Sequence, residues 1–258
     1  MSLEPNATPP PSTVPPAAPR SDADAWARPI ARLRVDAAAA GSLPATVEGR
    51  RLAGPLQGFG QMWQKTFRVR LAGAGPEVTP QSVIAAWKQH FPEFWPSGNT
   101  FYAPLAGIRP GEVGLLSVKT AGPVRLHTGV MVTYADDESF TLMTPEGHML
   151  AGWITFSAFR DRDGVVVAQS QALERTSDPL FELGYALRIG HRANNRFWEQ
   201  TLEAVARHHG VDARCETTVL CVDRRRQWRY AGNVRHSVAF RSALHAATTP
   251  LRWLRRSR

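Results

Sequence analysis

The sequence predicts an α+β domain: an antiparallel sheet of six to seven strands, a helix on either side of the main strand run, and a basic helical C-terminal extension. Three observations carry this. Residues 124–172 alternate apolar and polar side chains through four segments separated by short polar loops, the period-2 pattern of half-buried strands. One register of hairpin pairing brings the apolar side chains of all four to a single face. Apolar stripes at helical spacing lie before this run and after it.

Taken in order, residues 1–24 are Pro, Ala, Ser and Thr with little to bury, and are predicted to be disordered. Residues 25–57 hold several Gly and Pro breaks and read as an irregular lead-in. The folded domain is expected over 58–210. QMWQKTFRVRL (61–71) opens it as a strand with Trp63, Phe67, Val69 and Leu71 on one face. A helix follows, with Thr79 as N-cap, Pro80 in its first turn and a stripe of Val83, Ile84, Trp87 and Phe91. After Pro92 and Pro96 the strands begin with LLSVK.

In an antiparallel hairpin, directly opposed residues share a face. The strand 124–134 carries Val124, Leu126, Thr128, Val130, Val132 and Tyr134 on its even face. Pairing Tyr134 with Phe140, Leu142 with Leu150 and Phe159 with Val165 turns Phe140, Leu142, Leu150, Ile154, Phe156, Ala168, Ser170 and Ala172 inward. Glu174 follows at the strand end. A bulge would flip the parity beyond it. Asp178 and Pro179 then start a short helix, and RANNRFWEQTLEAVARHHG a longer one with Trp198, Leu202, Val205 and His209 on one side and Gly210 past its end. Residues 211–258 add one strand and a basic amphipathic helix.

This order resembles the helix-grip fold of the START-like superfamily, also called SRPBCC, over about residues 58–210. The resemblance rests on TPQSVIAAWKQHFPEFWP after the first strand and RFWEQTLEAVARHHG after the last; LMTPEGHMLAGWITFSAF is also similar to uncharacterised bacterial members. It implies a curved sheet wrapped around a long helix, with an apolar cavity between them. Members bind lipids, sterols, polyketides or other hydrophobic molecules, and a minority are cyclases or dehydratases. The superfamily has no shared catalytic signature, so no residue's role carries over.

Composition bounds the rest. The formal charge is +9, yet all ten charged residues from Arg224 onward are arginines, so residues 1–223 hold 21 basic and 22 acidic side chains. A neutral body with a basic tail argues against a nucleic-acid-binding domain. The N-terminus lacks a secretory pattern and no apolar run reaches the ~18 residues a transmembrane helix needs, so a cytoplasmic location is expected. Cys215 and Cys221 share a strand that would hold them ~20 Å apart at ~3.3 Å per residue, too far for a disulfide, and their spacing with His208 and His209 fits no common metal site. No cofactor or metal is expected. No G-x-S-x-G, P-loop or G-x-G-x-x-G stretch is present.

The candidate ligand-binding residues are therefore the inward ones: Val130, Tyr134, Phe140, Leu142, Ile154, Phe156, Ser170 and Glu174. The leading expectation is non-catalytic binding of a hydrophobic small molecule or lipid. A cyclase- or dehydratase-type enzyme using Tyr134 and Glu174 stays open beside it, since an inward carboxylate can act as an acid or base. So does a protein-interaction module: Met131, Met143 and Met149 form an outward row with Trp153, which the lead-in or the extension could cover. Residues 234–258 carry Leu251, Trp253 and Leu254 among arginines, a pattern suited to an anionic membrane surface, so the inner face of the membrane enters as a partner. Within TPEGH, Pro145 and Gly147 fit a turn, which leaves Glu146 and His148 as solvent-side residues at the sheet rim.

Overall fold

The computed structural model describes residues 22–35, 41–119 and 125–239. The disorder expected for residues 1–24 lies outside them as far as residue 21, as do Val124 and the tail from residue 240.

Eight strands form one antiparallel sheet among the described residues. They are β1 (Met62–Arg70), β2 (Thr100–Tyr102), β3 (Val113–Lys119), β4 (Arg125–Ala135), β5 (Ser139–Met143), β6 (Leu150–Arg160), β7 (Val166–Thr176) and β8 (Glu216–Asp223). Their order is β2-β3-β4-β5-β6-β7-β1-β8. The strand missed by the sequence reading is β2, whose three residues are too few to show a period. Among the described residues the sheet is joined by three α-helices: α1 (Pro80–Gln89), α2 (Pro179–Ala186) and the twenty-residue α3 (Ile189–His208). This is the helix-grip arrangement, a curved sheet closed around its C-terminal helix.

Local chemistry explains the helix starts. The Thr79 hydroxyl accepts from the Ser82 N–H, while the Thr79 N–H donates to the Ser82 hydroxyl, and Pro80 occupies the first turn. Asp178 accepts from the N–H groups of Leu180 and Phe181 to start α2. Gly210, at φ 75°, ends α3 in the left-handed conformation.

On the concave face, α1 and the C-terminal half of α3 press against the sheet. Val83, Ile84, Trp87 and Phe91 meet Phe140, Phe156, Leu202 and Val205, all buried in one core. Phe140 stacks on Phe156 at 4.6 Å, and both meet Trp87 and Phe91 in T-shaped contacts. Phe140 and Phe156, expected to line the cavity, are therefore consumed by this plug. Ser170 is likewise buried, opposite Phe156.

The register departs from expectation at three places. Val132 pairs with Leu142 as predicted, but a bulge follows and Tyr134 pairs with Thr141. The extra residue turns Tyr134 to the outer face, where it meets the Trp26 ring at 4.8 Å, and puts Ala135 opposite Phe140. Tyr134 is thus no cavity residue. Leu142 pairs with Ile154 and Met143 with Trp153, so the 144–149 connection is a wider loop than a hairpin closing at Leu150. Phe159 pairs with Val167 rather than Val165. The last two shifts are by even numbers, so the inward set beyond the bulge keeps its face.

The convex face is covered by the lead-in. Met131 is buried with Leu33, Val47, Val113 and Leu115 in a second core. The Ala27 N–H donates to the Thr133 carbonyl, and the Ala53 N–H to that of Thr144. Met143 lies against Gly54. Met149 leaves the row, because the wider loop carries it to the cavity side. The outward methionines are a seam within the chain, not an open docking patch. The start of the extension is also committed to the domain. Arg175, fully buried, donates to the carbonyls of Gly60 and Arg225 at 2.5 and 2.8 Å and pairs with Asp223 at 2.6 Å. Residues Trp228–His236 form 3-10 turns, and buried Val238 donates its N–H to the Gly147 carbonyl.

Candidate functional site

Beyond the aromatic plug, the N-terminal half of α3 stands off the sheet and α2 folds over the gap. Between them lies a cavity of about 630 Å³, within the usual range for small-molecule pockets. Its walls are Leu126, Val130, Leu142, Ile154, Phe197 and Trp198, so three of the expected apolar residues, Val130, Leu142 and Ile154, do border it.

Glu174 also borders it, at one end. Opposite Glu174 on β6 stands Gly152, where any Cβ would lie 2.2 Å from the Leu173 carbonyl oxygen. Glycine here permits the close approach of the two strands and leaves the carboxylate uncovered towards the cavity.

The carboxylate does not stand alone. Lys65 on β1 is wholly buried, with its Nζ 2.8 Å from Glu174 Oε1 and donating to Asn194 Oδ1 at 2.7 Å. A buried charge needs such a partner. Because lysine can only donate, the Asn194 amide must present its oxygen to Lys65, and its NH2 is left to donate elsewhere. The Tyr185 ring lies 5.1 Å from Lys65 Nζ. Burial first, then the neighbouring Glu174 carboxylate, hold the Tyr185 phenol well above its ordinary pKa. It is therefore a neutral hydroxyl. His191 fits between the rings of Tyr185 and Trp63 at 4.3 and 4.5 Å. Burial, with the positive charges of Lys65 and Arg188, lowers its pKa to about 4, so it is neutral at pH 7. Glu174, Tyr185 and Asn194 all face the cavity. The cluster is a charge-balanced polar floor in a mostly apolar chamber, whose lining also takes in Lys119, His148, Arg196 and Gln200.

His148 contributes a second polar point. It is buried and borders the cavity, contrary to the solvent-side position expected from a simple turn. His148 Nδ1 lies 3.0 Å from both the backbone nitrogen and the carbonyl oxygen of Leu150. Burial lowers its pKa to about 4. The loop is fixed from both sides: Glu146 exchanges hydrogen bonds with the backbone of Arg51, and Gly147, at φ 85°, lies against the His236 carbonyl.

Lys65 carried a legible signal. It shares strand parity with Trp63, Phe67, Val69 and Leu71, and a lysine at a buried-parity position calls for a buried acid. Tyr185 and Asn194 carried none, because helical pattern does not say which residue meets which strand.

Residues 50–204 match the family described as Domain of unknown function (DUF1990). No curated protein matches the sequence. Among solved structures, the chain is similar to a conserved protein from Geobacillus kaustophilus, at 7% identity over 59% of this chain and 99% of that one, with a TM-score of 0.43. It is similar to a START superfamily protein from Mycobacterium smegmatis at 14% identity, covering 58% and 99%, with a TM-score of 0.39. A third likeness is to the di-domain ARO/CYC StfQ from the steffimycin biosynthetic pathway, at 12% identity, covering 58% of this chain and 53% of that one, with a TM-score of 0.40.

Proposed function

The chain belongs to the DUF1990 family, and we propose that it holds, without converting it, an apolar small molecule or lipid whose one polar end meets Glu174, Tyr185 and Asn194. The observation that carries this is the cavity itself: mostly apolar walls above a polar floor in which Lys65 and Glu174 pair. Such a floor has no net charge to offer a cation or an anion. The Asn194 NH2 can donate, and Glu174 and the Tyr185 oxygen can accept, which suits a hydroxyl or carbonyl end. Val130, Leu142 and Ile154 would hold the apolar body by area burial, at about 25 cal/mol per Å².

Native mass spectrometry of the full chain purified from its own host tests this. A bound mass is expected, and Ile154→Trp, which adds volume inside the chamber, should remove it. A chain that carries nothing and takes up no apolar probe such as 1-anilinonaphthalene-8-sulfonate would refute the reading.

An enzyme of the cyclase or dehydratase kind is the second reading, favoured by a carboxylate and a phenol side by side at the cavity end. Tyr134 has no part in it. Finding one bound species in the wild type and its precursor in Glu174→Gln would favour the enzyme; the same species in both favours the carrier.

No described helix is long and apolar enough to cross a membrane. For the tail, we propose contact with an anionic membrane through residues 240–258, since 234–239 are held by the domain. R252E/R255E/R256E in the full chain should weaken sedimentation with phosphatidylglycerol vesicles. Unchanged sedimentation would remove the tail from the reading.

A further inference from the structure

The cavity has an apolar rim that the other described residues leave uncovered. Four large apolar side chains stand exposed within ten residues: Leu180 at 44%, Leu183 at 59%, Leu187 at 62% and Ile189 at 62%. Leu180, Leu183 and Leu187 share one face of α2 and its end, and Leu180 and Ile189 also border the cavity. The patch is thus continuous with the chamber. Between α2 and α3, Arg188 adopts a left-handed φ of 60°, unique among the described non-glycine residues.

The same elbow is basic. Arg188, Arg192 and Arg196 are exposed, and none pairs with a carboxylate among the described residues. The one acid of α2, Glu182, is buried and already bound by Arg226 at 2.9 Å and by the Thr176 hydroxyl. No acid stands in the first turn of α3. Cations at this end oppose the helix dipole, the reverse of the stabilising arrangement. The chain concentrates positive potential here at a cost to its own helix.

That charge decides the occupant. Residues 240–258 carry five arginines and no acid, and residues 1–21 carry one acid and one arginine, so neither chain end complements the elbow. A second copy would set its own arginines against these. An apolar patch ringed by cations fits an anionic bilayer, with leucines in the acyl boundary and arginines at the headgroups.

We propose that the α2–α3 elbow docks the cavity mouth against an anionic lipid surface, so that ligand passes between membrane and chamber without crossing water. The purpose rests on the cavity reading above; the docking does not, and ligand content measured separately keeps the two apart.

Hydrogen exchange of the full chain, with vesicles of phosphatidylcholine alone or with phosphatidylglycerol, tests it. Slower exchange across residues 180–196 is expected with the anionic vesicles only. L183E/L187E, at exposed positions, should weaken vesicle binding by about tenfold or more. Three results would overturn the proposal: vesicle binding that leaves 180–196 unprotected; binding that L183E/L187E does not change; or protection that appears without lipid and tracks formation of a dimer or capture of an acidic protein.

Discussion

Replacing Lys65 by Met removes the cation that pairs with Glu174 in the floor of the chamber. It leaves a buried carboxylate uncompensated, and breaking a buried pair in this way costs about 3–5 kcal/mol. Glu174→Gln strands the Lys65 ammonium instead and should cost a similar amount. The double change Lys65→Met, Glu174→Gln removes both charges together and leaves one lost hydrogen bond, at Asn194 Oδ1. That is worth about 1 kcal/mol, so the double variant should lie within about 1–2 kcal/mol of the wild type. For a chain of this size, each single loss corresponds to a fall in Tm of roughly 6–20 °C. Urea denaturation of the three variants at pH 7 measures the cycle. Single variants costing under about 1 kcal/mol, or a double variant costing the sum of both, would show that the two groups do not meet in a dry site. The double variant also asks a functional question. If the floor recognises the ligand's polar end, it should fold and yet hold the ligand more weakly.

Other consequences follow from the loop and the extension. His148 titrates near 6.5 unfolded and at about 4 folded, so the unfolded chain takes the proton first; stability should fall as pH drops through that window, by about 3 kcal/mol at pH 4. His148→Gln should make the fall of Tm there shallower, with the share from His191 remaining, and an unchanged profile would count against a buried neutral imidazole. Gly147→Ala would force a Cβ to 2.1 Å from the His236 carbonyl oxygen at a φ of 85°; a loss of about 1–3 kcal/mol and faster proteolysis near residue 237 are expected. Arg175→Met leaves the Gly60 and Arg225 carbonyls and Asp223 Oδ2 without the donor Arg175 supplies, and should cost about 3 kcal/mol and release β8 first in hydrogen exchange. Asp223, held below the usual carboxylate range by Arg225 and Arg175, should show a raised pKa in that variant by NMR titration.

Much of the fold was legible because it is written in short periods. The caps at Thr79 and Asp178, the strand parity of Val130, Leu142, Ile154 and Glu174, and the end of α3 at Gly210 each depend on a few neighbouring residues. The even register shifts show the same logic: pairing Leu142 with Ile154 instead of Leu150 changes the partner but not the face. A shift of one residue is different. The bulge before Tyr134 has no glycine or proline to announce it, and it moved a proposed site residue to the opposite side of the sheet.

What the sequence alone determined, then, is which side of each strand and helix is apolar, since that follows from periods of 2 and 3.6 within a segment. It did not determine which apolar residues would pack and which would border empty space. Phe140 and Phe156 share the parity of Leu142 and Ile154, yet the first pair lies under α1 and the second faces the cavity. That division is set by where α1, α2 and α3 lie along the sheet. So is the meeting of Lys65, Glu174, Tyr185 and Asn194, four residues from two strands and two helices. A buried ion pair is a relation between distant segments, held by the packing that excludes water around it, and only the tertiary structure supplies that packing.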